Sequence, residues 1–213
     1  MILRTFEVGS EQNNTYLIAC EKTRSGAIVD PYLEIPRILQ SARDEKIRIE
    51  QILLTHTHRD HCAGVPEVVT ATGATVYVHE KETQRVPGNG NLVFLKQGSR
   101  VQIGEIPLEV IHTPGHTPGG VTYYQPESAL ALTGDVLFVG YCGRADLAGS
   151  DAHALWHSLQ TLAKLPDHTV IYPGHNYGKT PVSTLGREKS SNPYYQCRTE
   201  EEFVHLRLYG KVE

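Results

Sequence analysis

Between Thr55 and Cys62 the chain reads His56-Thr57-His58-Arg59-Asp60-His61, three imidazoles and a carboxylate within six residues. Imidazole suits Zn, Fe, Ni and Cu, and a carboxylate beside it adds charge and tolerates harder ions. The string is a specific metal-binding signal, not an incidental cluster. Further along, His116 sits in Thr113-Pro114-Gly115-His116-Thr117, Asp135 in Thr133-Gly134-Asp135, and His175 in Pro173-Gly174-His175. Taken singly, the two histidines read as ordinary loop residues and Asp135 as a turn or N-cap residue. Their context changes that reading, because each follows a short apolar run. Ile52-Leu53-Leu54 precedes His56, Glu109-Val110-Ile111 precedes the segment His112–His116, Ala131-Leu132-Thr133 precedes Asp135, and Val170-Ile171-Tyr172 precedes His175. Strand ends along one rim of a sheet are rigid, so ligands placed there can converge on one ion.

The elements that must position these residues are legible in outline. Thr15–Ala19 and Ala27–Val29 read as strands around the turn Lys22–Gly26, and Asp30-Pro31 stops the second. A helix follows from about Leu33 to Lys46, with Ile35, Ile38, Leu39 and Ala42 on one face. Ile49–Leu54 is a strand, Val65–Ala71 a helix ended by Gly73, Thr75–His79 a strand, and Pro87–Asn91 a loop. Arg100–Ile103 and Pro107–Ile111 pair around Gly104-Glu105, and Val121–Tyr124 and Ala129–Thr133 around Gln125–Ser128. Asp151–Leu165 is a helix and Thr169–Tyr172 a strand. No repeat or linker divides residues 1–213. The expectation is a single α/β domain of antiparallel or mixed strands with helices outside.

Composition excludes other classes. Twenty Lys+Arg against 24 Asp+Glu give a net charge of −4, with no basic surplus to displace counterions from nucleic acid. The longest apolar runs, Ala129–Leu132 and Val136–Gly140, fall far short of the roughly 20 residues that span a bilayer. The N-terminal segment has no long apolar core of a secretory signal. The four cysteines (Cys20, Cys62, Cys142, Cys197) are scattered, which reads as reduced thiols in a cytoplasmic setting. Histidine, at 11 of 213 residues, is the anomaly.

His56-x-His58-x-Asp60-His61, followed by His116, Asp135 and His175 with these neighbours, resembles the metallo-β-lactamase-fold superfamily, from about Asn13 to Leu206. The resemblance implies an αββα four-layer sandwich with mixed sheets and metal in the groove at the sheet edges. In hydrolytic members the matching positions give one ion His56, His58 and His116, and the other Asp60, His61 and His175, with Asp135 bridging. Asp30, in Ile28-Val29-Asp30-Pro31, matches a position that steadies the histidine loop; a plain strand-ending turn is the other reading.

Within the superfamily, three segments look like the persulfide dioxygenases: Cys142-Gly143-Arg144-Ala145-Asp146-Leu147, His175-Asn176-Tyr177-Gly178, and the stretch from Val182 to Pro193 followed by Glu201-Glu202-Phe203-Val204. That branch implies one Fe(II) held by His56, His116 and Asp135, with His58, Asp60, His61 and His175 around it, and oxidation of glutathione persulfide by O2 to sulfite and glutathione. Arg144, Tyr177 and Lys189 are the implied glutathione contacts, since Arg or Lys at a pocket rim pairs with carboxylates. The alternative is a glyoxalase II-like thioester hydrolase with two Zn, Fe or Mn ions, whose bridging water becomes the nucleophile. Full-length glyoxalase II carries a C-terminal helical domain, for which the 38 residues after His175 are too few. Ala145 and Asn176 depart from the dioxygenases, which usually have Thr and Asp there, and Gln12-Asn13-Asn14 looks more like the hydrolases. The expected partners are a small thiol and O2, with no nucleic acid or membrane, and a homodimer is left open.

Overall fold

Apolar residues in the first third fall on alternate sides of strands whose two faces are both covered. A computed structural model describes residues 1–82, 86–88 and 90–210. The first sheet runs in the order β1 (Ile2–Val8), β2 (Asn13–Ala19), β3 (Ser25–Val29), β4 (Arg48–Leu53), β5 (Thr75–His79) and β6 (Leu92–Leu95). Its first two pairings are antiparallel and the next three parallel. Every residue of β2 is buried. Leu17 and Ala19 join one apolar cluster while Tyr16 and Ile18 join another, as the period of two along a strand requires. Helices α1 (Ile35–Asp44), α2 (Arg59–Cys62) and α3 (Val65–Thr72) complete this half. Ile35, Ile38, Leu39 and Ala42 of α1, with Val65 and Val68 of α3, pack on the outer cluster.

The second sheet contains β7 (Arg100–Ile103), β8 (Ile106–His112), β9 (Val121–Gln125) and β10 (Leu130–Gly134) as an antiparallel meander. A short hairpin, β11 (Leu137–Phe138) and β12 (Tyr141–Cys142), follows. The chain then forms α4 (Ala152–Leu162) and returns as β13 (Val170–Pro173), parallel to β10, with β14 (Ser183–Thr184) on its far edge. Helices α5 (Leu185–Ser191), α6 (Pro193–Gln196) and α7 (Glu200–Tyr209) end the described chain. Leu155, Leu159 and Leu162 of α4 pack with Leu185, Tyr194 and Phe203 outside this sheet. Between the sheets lie Ile18, Val29 and Leu53 from one, and Leu108, Val110, Tyr123 and Leu132 from the other. The layers are therefore helix, sheet, sheet, helix, as expected, and both sheets are mixed.

The expected helices are present, α1 and α4 shorter than expected and α3 one residue longer, to Thr72. The first begins at Ile35, next to Pro36, and ends before Lys46, whose φ of 56° breaks the helical path. Asp151 caps α4, accepting from the backbone N–H groups of His153 and Ala154. β1, β6, β14, the β11–β12 hairpin, α2 and the three C-terminal helices add to the expected set. Asn89 of the expected loop Pro87–Asn91 lies outside the described residues. All four cysteines are free thiols, and no described helix is long and apolar enough to cross a membrane.

A side-chain bond joins the core to the start of the histidine loop: the fully buried Tyr123 donates its hydroxyl to Leu54 O at 2.9 Å. Tyr123→Phe is expected to lower the free energy of unfolding by about 1 kcal/mol. Urea denaturation measures it, and an unchanged midpoint would mean that Leu54 O finds another donor.

Candidate metal centre

The four strand ends that the sequence singles out meet at one rim. β4 runs into His56 and His58, with Asp60 and His61 on the short helix α2. The loop after β8 brings His116, the turn after β10 brings Asp135, and the end of β13 brings His175. One ligand atom each from His56, His58 and His116 lie within 4.8 Å of one another, and the same holds for Asp60, His61 and His175. Asp135 sits between the trios. Its Oδ1 is 3.5 Å from His61 Nε2, and its Oδ2 is 3.5 Å from His116 Nε2 and 3.4 Å from His175 Nε2.

Outer partners fix which nitrogen of each ring faces inward. His116 Nδ1 donates to Arg144 O at 2.9 Å, and His175 Nδ1 donates to Glu11 O at 2.8 Å. His61 Nδ1 lies 3.0 Å from Asp30 Oδ2. A carbonyl or carboxylate only accepts, so these three rings carry their proton on Nδ1 and present a bare Nε2 to the centre. Asp30 also accepts from Thr55 N at 2.7 Å and Thr55 Oγ1 at 2.6 Å. It is buried and held at a φ of 50°, a backbone conformation that costs a non-glycine residue about 1 kcal/mol or more and persists where the surroundings impose it. Asp30 is thus a steadying residue for the His61 ring and the Thr55 turn, not a bare strand-ending turn.

The consequence is that two lone pairs face each other, His61 Nε2 and His175 Nε2 lying 3.2 Å apart, while His116 Nε2 lies 2.9 Å from His58 Nδ1, a nitrogen whose proton no outer partner fixes. His56 Nε2 and Asp135 Oδ1 are buried and have no hydrogen-bond partner at all. An unsatisfied buried group costs about 1–3 kcal/mol. A cation among these donors removes that cost, and the imidazole–carboxylate set suits Fe or Zn. Electrostatics divide the two trios. Burial pushes the His56 ring well below the usual imidazole range, with His61 adding to the shift, which favours a neutral, ligating ring. Burial opposes charge on His61 and His175 too, but Asp135, Asp30 and Asp60 outweigh it, raising His61 well above its ordinary value and His175 to about 9. Asp60 and Asp135 feel the same burial, yet the neighbouring histidines hold both carboxyls far below the usual range.

The residues expected to contact a thiol substrate divide. Arg144 and Tyr177 both line the cleft of about 440 Å³ that also touches His58, His116, Asp135 and His175, and they continue into an adjoining cavity of about 490 Å³ with Phe138, Tyr141, Tyr194 and Arg207. The Tyr177 ring stacks on His175 at 4.6 Å. The guanidinium of Arg144 is exposed and bonded through two nitrogens to Asp146, at 2.9 and 2.8 Å. Lys189 is not at the cleft. Its ammonium donates to Ala163 O at 3.1 Å and pairs with Asp167. Two residues along a helix span about 200°, so Lys189 lies opposite Arg187 on α5, and it is Arg187 that lines a third cavity with Tyr177 and Lys179. Sequence reading also passed over Asn13, whose amide donates to Asp60 O and Oδ2 at 3.0 Å, and the Glu11 carbonyl behind His175. The Asn13-Asn14 pair was the one visible hint.

The chain matches the Metallo-beta-lactamase superfamily over residues 8–175, and it belongs to that family. Among its relatives is a hydroxyacylglutathione hydrolase of Rhodospirillum rubrum, 39% identical over 171 residues that make up 80% of this chain and 65% of that protein. The chain thus spans a little under two thirds of that enzyme's length. The human mitochondrial persulfide dioxygenase ETHE1 is 32% identical over 194 residues, 90% of this chain and 74% of that protein. The crystal structure of ETHE1 from Myxococcus xanthus superposes with a TM-score of 0.89 at 32% identity, covering 100% of this chain and 92% of that one. These relatives are enzymes of two classes, and candidate ligands for a metal ion are present in this chain.

Packing leaves no slack at the centre. A Cβ on Gly174 would lie 2.2 Å from Asp135 Oδ1 and 2.9 Å from His61 Cε1. Gly174→Ala is therefore expected to weaken metal retention by about tenfold or more, as read by metal per chain after dialysis; wild-type retention would show that the Pro173–His175 turn yields without moving Asp135.

Proposed function

We propose that the protein is a non-haem Fe(II) persulfide dioxygenase that oxidises glutathione persulfide, with His56, His116 and Asp135 as the iron-holding residues. The observation that carries this reading is the pair of orphaned buried atoms, His56 Nε2 and Asp135 Oδ1, which belong to that two-His, one-carboxylate set. Asp60, His61 and His175 differ: at a separation of 3.2 Å the two Nε2 atoms can share one proton, with Asp60 and Asp135 balancing its charge. Iron in such a set supplies O2-activating redox chemistry and leaves positions open. In the overall reaction glutathione persulfide, O2 and one water give glutathione, sulfite and two protons. Full-length similarity to the ETHE1 structure supports the assignment.

The chain's own groups then bind and orient the substrate. Arg144 stands at the mouth of the cleft, where a glutathione carboxylate would take the place of Asp146 on its guanidinium. Tyr177, stacked on His175 and edge-on to Phe138, walls the cleft and keeps water off that ring. Burial with nearby Asp135 pushes its phenol up to about 12, so it serves as a neutral donor.

One observation favours a second reading. The facing lone pairs of His61 and His175, with Asp60 Oδ2 at 3.4 Å from both, are a ligand trio for a second ion. Two Zn, Fe or Mn ions there would fit a glyoxalase II-like thioester hydrolase, and the similarity to hydroxyacylglutathione hydrolases supports it.

Anaerobic purification, metal counting and O2 uptake with glutathione persulfide separate the two. We expect one Fe per chain and O2 consumption. His116→Ala should lose both, whereas His61→Ala should keep close to one Fe and lose about 10–100-fold in activity. Two metals per chain with thioester turnover, and equal loss of metal in both variants, would overturn the dioxygenase reading. Arg144→Ala should raise KM for the persulfide and lower kcat/KM by about tenfold or more at unchanged iron content, since a charge-assisted pair contributes roughly 1.5–3 kcal/mol. Unchanged kcat/KM would leave Arg144 as loop structure only.

A further inference from the structure

Glu82 lies outside every ligand-bearing segment, yet its side chain meets two of them. A turn at the end of β5, closed by Glu82 N donating to His79 O at 3.0 Å, aims the carboxylate into the gap between the first histidine loop and the His116 loop. Oε2 accepts from Thr57 N at 2.9 Å and from Thr57 Oγ1 at 2.5 Å. Oε1 accepts from Thr117 Oγ1 at 2.8 Å and from Gly119 N at 2.9 Å. Thr57 stands between His56 and His58, and Thr117 follows His116. Both threonines are buried, so their hydroxyls and the Thr57 amide depend on this partner. The approach is close: a Cβ on Gly119 would lie 2.6 Å from Glu82 N.

We infer that Glu82 is a positioning residue that fixes the spacing of His56 and His58 against His116, one oxygen per loop. It bonds to none of Asp60, His61 and His175, so its action is confined to one of the two ligand trios. This rests on the reading that His56 and His116 hold a metal, but not on which reaction follows. Four donors converge on two oxygens, which only a carboxylate satisfies. In a glutamine the amide nitrogen would face one loop's donors with donors of its own, and that loop would be released.

The test is titration of metal-free protein with Co2+, followed by its visible d–d bands, which report ligand geometry independently of turnover. Glu82→Gln should bind Co2+ about 10–100-fold more weakly, with altered bands. Thr117→Val, which removes one of the four bonds, should lose only a few-fold and guards against a Glu82 variant that fails to fold. Because both changes act through one bond, the double variant should bind less weakly than the product of the two single effects. Thermal melts of the metal-free forms separate general destabilisation, which would lower the midpoint without changing affinity or bands at 25 °C. Wild-type affinity and bands in Glu82→Gln, or multiplicative effects of the two changes, would overturn the inference. Wild-type protein that binds Co2+ but consumes no O2 with persulfide would overturn the dioxygenase reading and leave Glu82 in place. Wild-type protein that binds no Co2+ would overturn both.

Discussion

Aiming five imidazoles and two carboxylates at one buried spot is unfavourable unless something holds each ring in a single tautomer with its lone pair turned inward. Here that restraint comes from behind the rings. The Arg144 carbonyl takes the outer proton of His116, the Glu11 carbonyl that of His175, and the Asp30 carboxylate that of His61. Thr55 Oγ1, itself donating to Asp30, lies 3.1 Å from His56 Nδ1. None of these acceptors is near its histidine in sequence except Thr55. The Asp30 pair forms where β3 and β4 end side by side in one sheet, the Arg144 pair where the hairpin after Asp135 folds over the His116 loop, and the Glu11 pair only when the two sheets stack. The buried apolar layer between the sheets therefore does more than stabilise the chain, because it brings the Glu11 carbonyl to His175 and so sets that ring's tautomer.

The same economy appears on the substrate side. Arg144 contributes its carbonyl to His116 and its guanidinium to the cleft mouth, so the loop that orients a candidate ligand also carries the charge proposed to read the substrate. Arg207 fixes that loop from α7 by donating to Gly143 O at 2.7 Å. Tyr177 follows His175 by two residues and stacks on it. Displacement of either loop would move a cleft-lining side chain and a candidate ligand together, which couples the shape of the cleft to the geometry at the centre.

The centre was legible in the sequence because its donors are chemically unusual and sit at strand ends. His56, His58, Asp60, His61, His116, Asp135 and His175 announce themselves by type and by the apolar runs before them. The strands and the outer helices were legible from strand alternation and from the faces of α1 and α4, while the four-layer arrangement came from the family resemblance. What escaped has physical reasons. β14 is two residues long and α7 buries only Phe203 completely among its ten residues, so neither carries a strong periodic signal. Lys189 was misplaced because nothing in the sequence gives the phase of α5 against the cleft; its ammonium turns to Ala163 O and Asp167. Glu82 and the Glu11 carbonyl were invisible because one is an acidic residue in a polar loop and the other a backbone atom. Groups that support a site act through geometry, and geometry is written in the stacking of elements, not in local residue type.

Ligand inventory alone does not separate the two activities found among this chain's relatives, since all seven donors are here. The separation turns on whether Asp60, His61 and His175 are better satisfied by a proton or by a second cation. A bare pair of nitrogens 3.2 Å apart is a hydrogen bond once one of them is protonated, and Asp30 behind His61 favours that proton by balancing its charge. Asn13 works in the same direction. Its amide already occupies a lone pair of Asp60 Oδ2, the oxygen that lies 3.4 Å from both histidines, and so weakens that oxygen as a ligand. His56 Nε2 forms no such bond, and Asp135 Oδ1 has only the long 3.5 Å approach of His61 Nε2, with both atoms sealed from solvent. Within one set of donors, then, one half has a shared proton as an alternative to a cation and the other does not, and this asymmetry supports the proposed mononuclear reading.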